Sequence, residues 1–322
     1  MTHEPSFILD HNLFSLLPDD VLIESAPLFI IDWKKNVMPN LPMNTDTCRN
    51  ERDAIAFLGL LSYMFLHWDT PVTTGQGVND VTHTQGLNIC GLILDNQDGT
   101  VLALEKNSIH ASTSPVQHGE QLAVRSAIER LKVKRPRGSN TTVEEYYRSQ
   151  LFYGPGDRPE DFIYHGCTLY SSLEPCPMCT ATLCVCRMKR NVYLVTDYVY
   201  GGSWDWRSEP GRSGIKDKYY QKYDMEYGRL NFTTDDGTVI QNAKRLYGDL
   251  LAKIGDSASA EGSLRQKQIF DTLFFDHLRP ELQTIFEYFK ELKETDLITQ
   301  GDDRARNQKT LGGLRQLCDA AP

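Results

Sequence analysis

The stretch TLYSSLEPCPMCTATLCVCRMKRNVYLVTD, residues 168–197, decides the fold class of this chain. Apolar runs at its two ends, residues 167–173 and 191–197, predict two buried strands. Between the strands, Pro175 predicts the start of a helix that we expect to continue to about Lys189. A helix that connects two buried strands in this way is typical of an α/β domain, in which helices pack on a sheet.

The residues upstream of this stretch extend the same α/β pattern. Residues 86–95 and 99–107 predict two further strands, and Asn96 to Gly99 suits a hairpin turn between them. Residues 118–132 carry apolar side chains at helical spacing. The order strand, strand, helix, strand, helix, strand therefore predicts an α/β domain over residues 86–203.

The remaining residues are expected to form additions to this domain. Residues 132–166, about 35 residues rich in turn formers, predict an insert that acts as a lid or contacts a partner. Residues 1–85 are interpreted as an N-terminal accessory segment. Its apolar stretch, 54–68, is shorter than the roughly 20 residues of a membrane span and predicts a buried helix. Residues 204–322 predict a mainly helical C-terminal extension, with amphipathic helices over residues 241–254 and 264–278.

Composition limits the class of protein. The net charge is −9, from 34 Lys and Arg against 43 Asp and Glu, which disfavours a general nucleic-acid binder. The acidic N-terminus does not have the pattern of a secretory signal, and no membrane partner is expected. Four of the eight cysteines crowd into residues 176–186, which favours metal or thiol chemistry in a reducing compartment. We therefore expect a cytoplasmic protein.

Four residues form a pattern that predicts a catalytic zinc site. Cys176 and Cys179, three apart at a predicted helix start, share one helical face, where the helix dipole favours thiolates. With His118 as a third ligand, zinc would keep its fourth position for water. Glu120, two residues after His118, could take the proton of that water without binding the metal. The order H-x-E, then P-C-x-x-C, is the described pattern of zinc nucleobase deaminases.

Other interpretations of the cysteines stay open at this point. A C-x-x-C pair alone is often half of a structural zinc site or a redox pair. A structural site needs a fourth ligand, and the nearby Cys184 and Cys186 are interpreted as small apolar side chains of the core. A non-catalytic zinc scaffold would have no use for Glu120, which favours the catalytic interpretation.

At residues 86–203 the chain resembles the cytidine deaminase-like superfamily, in the branch of the tRNA adenosine, guanine, and cytosine or deoxycytidylate deaminases. The similarity is strongest over residues 168–197. The resemblance implies a three-layer α/β/α sheet, here with helical N- and C-terminal extensions. It also implies oligomers, which we expect to be homo-oligomers, and the following roles: zinc ligands His118, Cys176 and Cys179, and proton shuttle Glu120.

The resemblance also implies contacts to the substrate. Asn107 lies eleven residues before His118, the interval at which that branch carries a substrate-contacting asparagine. The main-chain carbonyl of Glu174 would accept a hydrogen bond from the departing amino group. Gly119 stands where that branch usually has alanine, and we expect it to bind the substrate by letting the backbone come close to the base. Independently of the resemblance, we expect Trp204 or Trp206 to close the pocket, because a flat base needs aromatic walls.

The leading functional hypothesis is a hydrolase acting on C–N bonds in cyclic amidines. It would convert an amino group on a free purine or pyrimidine base, nucleoside or nucleotide to a carbonyl and release ammonia. The alternative is an editing deaminase of RNA or DNA, converting adenosine to inosine or cytidine to uridine. Basic residues at 130–138, with Lys189 and Arg190, favour that alternative. A riboflavin-pathway deaminase fits poorly, because its second cysteine has a different spacing.

Overall fold

The structure is a computed structural model that describes residues 44–70, 72–73, 81–82, 86–134, 166–186, 188–197, 226–254 and 278–320. All of these residues lie in one compact unit, residues 42–322.

Helices and short strands alternate along the described chain. The helices are α1 (Asn44–Leu66), α2 (Gly119–Lys134), α3 (Pro177–Val185), α4 (Gly237–Ile254), α5 (Arg279–Glu291) and α6 (Gly301–Asp319), with a 3₁₀ turn at Glu294–Asp296. The strands are β1 (Val72–Thr73), β2 (Val81–Thr82), β3 (Cys90–Asp95), β4 (Val101–Lys106), β5 (Cys167–Leu173), β6 (Arg190–Val195) and β7 (Glu226–Arg229). None of the helices in this described part of the chain combines the length and the apolar content that a bilayer span requires.

Five of the strands form the central sheet, in the order β4-β3-β5-β6-β7. Strand β3 runs antiparallel to both β4 and β5, whereas β5, β6 and β7 run parallel to one another. A parallel pair needs a crossover connection, and helix α3 lies in the connection between β5 and β6. The small strands β1 and β2 pair separately.

The two faces of the sheet bury different sets of side chains, because successive residues of a strand point to opposite faces. Ile93 and Leu102 pack on the face covered by α2 and α3. Leu92 and Tyr170 pack on the opposite face, against α1, α4, α5 and α6. The result is a three-layer α/β/α arrangement, which confirms the predicted fold class.

The predicted strands and helices correspond closely to the observed ones, with two differences. Helix α3 is shorter than expected, since it begins at Pro177 and ends at Val185. Strand β7 was not expected within the C-terminal extension, and it extends the sheet beside β6. A further helix predicted over residues 264–278 lies outside the described residues, apart from its last residue. The buried helix predicted at 54–68 is the C-terminal part of α1.

Candidate active site

Two helix starts meet at one end of the sheet. Helix α2 begins beside the start of β3 and the end of β4, and α3 begins four residues after the end of β5. Gln121 joins the two helices, because its Nε2 donates hydrogen bonds to Thr182 Oγ1 at 2.7 Å and to the carbonyl of Met178 at 3.3 Å. The helix starts therefore keep a fixed separation, and the predicted zinc ligands lie on both of them.

His118, Cys176 and Cys179 come together between these helix starts. The Nδ1 atom of His118 lies 3.6 Å from the sulfur of each cysteine, and all three ligand atoms lie within 4.8 Å of one another. Tetrahedral zinc, with bonds of about 2.3 Å to sulfur and about 2.05 Å to nitrogen, requires about 3.6 Å between such ligand atoms. The geometry and the donor set both fit zinc. In the described residues this is the one group of three or more such side chains close enough to bind a metal.

The two cysteines behave as an asymmetric pair. A hydrogen bond from Cys179, and a further one from His118, lower the pKa of Cys176 although burial opposes the change. The same sulfur–sulfur hydrogen bond, together with burial, raises the pKa of Cys179. The backbone amide of Cys179 also donates to the Cys176 sulfur, as expected at a helix N-terminus. Cys176 is therefore ready as a thiolate ligand.

His118 is oriented by hydrogen bonds to a side chain and to the backbone. Its hydrogen bond to Cys176 raises its pKa above the usual value, against the effect of burial, and a hydrogen bond to the carbonyl of Pro115 acts in the same direction. A second hydrogen bond of this kind is the usual device for orienting a metal-binding histidine.

Glu120 is buried next to these ligands without being part of their cluster. Its Oε1 accepts a hydrogen bond from Ser171 Oγ at 3.3 Å, while its Oε2 is buried and makes no hydrogen bond within the described structure. Burial, the largest effect, raises the pKa of Glu120 to about 7. A carboxyl group with a pKa near neutrality is suited to accept and donate a proton in turn. Sequence reasoning did not find Ser171, because its contact depends on which face of β5 it occupies.

Close backbone packing fixes where α2 begins. A Cβ added to Gly119 would lie 2.8 Å from the carbonyl oxygen of Ile89, and one added to Gly91 would lie 3.0 Å from the backbone of Glu120. A side chain at Gly119 would therefore force the backbone to shift, and one at Gly91 would fit only tightly. The glycine at 119, where the resembled branch usually has alanine, is therefore required by the approach of α2 to β3.

Asn107 lies beside the helix start that carries His118. Its backbone amide donates to the carbonyl of Ile89, the same group that Gly119 packs against. Its Oδ1 accepts hydrogen bonds from the amides of Leu87 and Ile109, at 3.3 and 3.2 Å. Its Nδ2 is buried and has no hydrogen-bond partner within the described structure. Two hydrogen bonds to Oδ1 thus hold the side chain in place, while Nδ2 remains available as a donor.

Glu174 lies two residues before Cys176. Its amide donates to the carbonyl of Val195, and its carboxylate accepts a hydrogen bond from the Tyr227 hydroxyl at 3.2 Å. The ring of Tyr193 lies 5.5 Å from that of Tyr227. Tyr227 belongs to the unexpected strand β7, so the sequence carried no signal for this contact.

The domain model described as the cytidine and deoxycytidylate deaminase zinc-binding region matches residues 79–195, which include all of the residues just described except Tyr227. Residues 79–195 belong to the cytidine deaminase-like superfamily. The predicted zinc cofactor is confirmed, because the family's region binds zinc and the three ligand side chains are positioned for it.

Known proteins similar to this deaminase-like domain act on nucleobases in different contexts. A tRNA-specific adenosine deaminase of Aquifex aeolicus is 26% identical over 106 residues, which are 33% of this chain and 52% of the relative. The match thus spans about half of that relative. A structure from a study of A-to-I editing by tRNA:A34 deaminases is 21% identical, covering 44% of this chain and 82% of that one, with a TM-score of 0.27. A Bacillus subtilis guanine deaminase is 18% identical, covering 55% and 85%, with a TM-score of 0.26.

Other predicted features of the deaminase-like domain have different outcomes. Trp204 and Trp206 lie outside the described residues. Cys184 is buried and Cys186 packs against the core, and neither joins the metal-binding cluster.

The two cations at the start of β6 do not form an exposed basic strip. Lys189 is only 6% exposed. Arg190 makes a two-pronged ion pair with the buried Asp53, at 2.5 and 2.7 Å. These two residues therefore do not supply the surface charge that the editing alternative expected from them. Residues 135–138 of the basic segment 130–138 lie outside the described residues.

Proposed function

We propose that this chain is a zinc-dependent hydrolytic deaminase of an aminopurine or aminopyrimidine, as a free base, nucleoside or nucleotide. The observation that carries the proposal is a buried glutamate with a partnerless oxygen beside a three-ligand metal site. Among the known uses of such a site, a purely structural metal requires a fourth protein ligand and does not require a buried proton carrier. His118, Cys176 and Cys179 would hold the ion, which supplies Lewis acidity that brings the pKa of a water molecule toward about 7.

Glu120 is assigned the proton transfers of this reaction. Its Oε2 would accept one proton of the attacking water and deliver it to a ring nitrogen. It would then take the proton of the new hydroxyl group and deliver it to the departing amino group, which would leave as ammonia as the carbonyl forms. Ser171, which donates to Oε1, would hold the carboxyl group so that Oε2 faces the reaction. Glu120 is not one of the three proposed metal ligands, so its carboxylate remains available to transfer protons.

Two further residues are assigned to orienting the substrate. The Nδ2 of Asn107 would donate to an oxygen or ring nitrogen of the substrate, since it is buried without another acceptor. The main-chain carbonyl of Glu174 would accept from the amino group that is lost. The backbone of Gly119, at the start of α2, would lie against the substrate, and Trp204 or Trp206 would cover the base.

The decisive experiment is ammonia release by the zinc-loaded, full-length protein from adenine, guanine, cytosine and their nucleosides and nucleotides. We expect one ring class to be deaminated, and Glu120→Gln to lower kcat by at least about 10³-fold with zinc content unchanged. Glu129→Gln, at an exposed position on the same helix, is the matched control and should keep full activity. A panel without ammonia release from zinc-loaded protein, or an active Glu120→Gln variant, would refute the proposal.

The second candidate is deamination of a base within RNA. The similarity to a tRNA-specific adenosine deaminase favours it. An enzyme acting on a polynucleotide should lose activity steeply as salt is raised from about 50 to 200 mM, because phosphate contacts release counterions. An enzyme acting on a nucleoside should change little over the same range.

A further inference from the structure

The segment that precedes β3, residues 86–89, packs directly against Asn107. The amide of Leu87 donates to Asn107 Oδ1 at 3.3 Å, and the amide of Asn107 donates to the carbonyl of Ile89 at 2.8 Å. A Cβ added to Gly86 would lie 2.5 Å from Asn107 Oδ1 and 2.6 Å from the Asn107 carbonyl oxygen. Because the contact is this close, a displacement of residues 86–89 would also displace the Asn107 side chain.

Asp69, three residues after the end of α1, holds this segment in place together with Asn88. The Asn88 side chain accepts a hydrogen bond from the Asp69 amide at 2.9 Å and donates one to the Asp69 carbonyl at 3.1 Å. The Asp69 carboxylate in turn accepts from the amide of Gly86 at 3.2 Å. All three residues are buried. These three hydrogen bonds, here called the Asp69 clasp, join the two ends of residues 70–85.

A second contact joins the same end of α1 to the residue before Asn107. Lys106, the last residue of β4, is buried, and its Nζ donates to the carbonyl of His67 at 2.5 Å. Burial lowers the pKa of Lys106, and the negative charge of Asp69 opposes that change. The residues that follow α1 therefore contact both of the segments that meet at Asn107.

The orientation of the Asn107 amide group depends on two backbone donors. Its Oδ1 accepts from the amides of Leu87 and Ile109, so its buried Nδ2, which has no hydrogen-bond partner in the described structure, points elsewhere. A rotation of the amide group by 180° would place Nδ2 against these two N–H donors and lose both hydrogen bonds. One of the donors, the Leu87 amide, follows directly after Gly86, whose own amide is bound by the Asp69 carboxylate.

We propose that Asp69 is a positioning residue for Asn107, acting through Gly86 and Leu87 and supported by Asn88. The inference rests on the proposed function, in which Nδ2 of Asn107 donates to the substrate. Asp69 lies outside residues 79–195, the part of the chain that the deaminase domain model matches. The N-terminal accessory segment thus contributes to substrate binding through the orientation of Asn107. Residues that orient a binding group in this way determine how closely it meets its ligand.

The first test compares Asp69→Ala with Asp69→Asn in the zinc-loaded, full-length protein, on the substrate that the parent deaminates. The asparagine keeps an oxygen that can accept from the Gly86 amide, whereas the alanine does not. We expect Asp69→Ala to lower kcat/KM at least about tenfold, the equivalent of one misplaced hydrogen bond to substrate, and Asp69→Asn to keep it within about threefold. Because Asp69→Asn removes the charge that acts on Lys106, its melting temperature should fall although its activity is kept.

A double-mutant cycle with Asn107→Asp separates positioning from general destabilisation. With the Nδ2 donor already absent, adding Asp69→Ala should change kcat/KM by less than about twofold. Asp53→Ala, which breaks a different buried contact of α1, is the control. It should lower the melting temperature but keep the kcat/KM of the parent at a temperature where both are folded. Equal losses from Asp69→Ala in the two backgrounds, or an equally large loss from Asp53→Ala, would overturn the proposal.

A second readout does not depend on turnover. In protein made with ¹⁵N-labelled asparagine, the side-chain amide signals of Asn107 are identified by their absence from Asn107→Asp. We expect Asp69→Ala to shift or broaden these signals, and Asp69→Asn and Asp53→Ala to leave them in place. If Asp69→Ala does not fold, Asn88→Ser breaks the clasp from its other side and is measured in the same way.

The two readouts fail separately. A parent that releases no ammonia refutes the proposed function, and the Asn107 signals then decide the positioning by themselves. Signals that stay unchanged when the Asp69 clasp is broken overturn the positioning role of Asp69, whatever the activity of the parent. Signals that move while kcat/KM stays at the parent value overturn it as well, because the displacement would then have no consequence for the substrate.

Discussion

At the level of single residues, the candidate site depends on groups that are ordinary in type and unusual in position. Glu120 and Asn107 are each buried, and each keeps one polar atom without a partner in the described structure. Such groups cost free energy when nothing binds them, so natural proteins seldom keep them without a use. Their proximity to the ligand cluster is the strongest sign that the site acts on a substrate.

Replacing Gly119 by alanine is expected to displace the start of α2. The added Cβ would lie 2.8 Å from the Ile89 carbonyl, which is backbone and cannot move aside alone. Because His118 and Glu120 flank this position, we expect a loss of about 1–3 kcal/mol in stability together with weaker zinc retention. Thermal unfolding and competition with a zinc chelator measure the two effects. Gly248→Ala, on α4 where an added Cβ meets nothing within 4 Å, is the control.

Asn107→Asp separates the structural use of this side chain from its proposed use. The aspartate can still accept from the amides of Leu87 and Ile109, but it lacks the Nδ2 donor. We expect kcat/KM to fall at least about tenfold, the equivalent of one lost hydrogen bond to substrate, while the fold is kept. Asn107→Ala should lose both activity and thermal stability. Equal activity of Asn107→Asp and the parent would remove Asn107 from the substrate site.

At the level of elements, a buried ion pair holds α1 to the sheet. Asp53 on α1 has a side chain only 2% exposed, and it contacts Arg190 of β6 and the Tyr170 hydroxyl of β5. Burial alone would raise the pKa of Asp53, but the charge and hydrogen bonds of Arg190 outweigh it and lower the pKa below its usual range. The carboxylate is therefore ionised wherever the protein is folded near neutral pH.

Asp53→Ala should destabilise the protein by about 3 kcal/mol, because it leaves the Arg190 charge largely buried without its partner. Asp249→Ala breaks the exposed pair with Arg245 and should cost about 0.5 kcal/mol or less. Urea unfolding at pH 7 measures both. A loss below 1 kcal/mol for Asp53→Ala would contradict the assignment of this pair as the anchor of α1.

The ion pair of Asp53 and Arg190 also makes the unfolding free energy of the protein depend on pH. The unfolded chain binds a proton at Asp53 near its usual pKa of 3.8, and the folded protein binds it only at lower pH. The contribution to stability is therefore complete above about pH 4 and disappears as the pH falls through the folded-state pKa. The difference in unfolding free energy between the parent and Asp53→Ala should shrink below pH 4. A difference that stays constant down to pH 2 would contradict this sign.

How far sequence reasoning reached depended on how local each signal is. Strands β3 to β6 were predictable because their residues are buried on both faces and so form short apolar runs. Strand β7 has four residues, with charged residues at both ends and Gly228 inside, and shows no such run. Helix α6 buries Asn307 and Thr310 among its core positions, so its apolar stripe is incomplete.

The residues of the candidate site also differ in whether the sequence could predict them. The ligands and Glu120 were predictable because each half of the motif is a fixed local spacing at a helix start. Ser171 and Tyr227 were not, since their contacts require the register of β5 and the presence of β7. The pair of Asp53 and Arg190 joins residues 137 positions apart, and no local pattern marks it.

At the level of the whole molecule, polar contacts fasten the C-terminal helices onto the deaminase-like domain. Glu51 of α1 accepts hydrogen bonds from Asn307 at 2.8 Å and from the Thr299 hydroxyl, all three side chains being buried. Thr310 of α6 donates to the carbonyl of Gly99, in the turn between β3 and β4. Buried networks that are this well satisfied fix one arrangement of elements rather than several.

The described structure therefore predicts that residues 86–203 do not fold by themselves. That fragment lacks α1, α4, α5, α6 and β7, so the apolar face that carries Leu92 and Tyr170 would be open to water. We expect it to aggregate, or to bind a hydrophobic dye without a cooperative melting transition. Residues 42–322, the compact unit, should instead melt cooperatively and retain zinc. A monodisperse 86–203 fragment with the zinc content and melting temperature of residues 42–322 would show that this domain folds without the additional helices. We do not expect that result, because the buried contacts of Glu51 join α1 to the C-terminal residues.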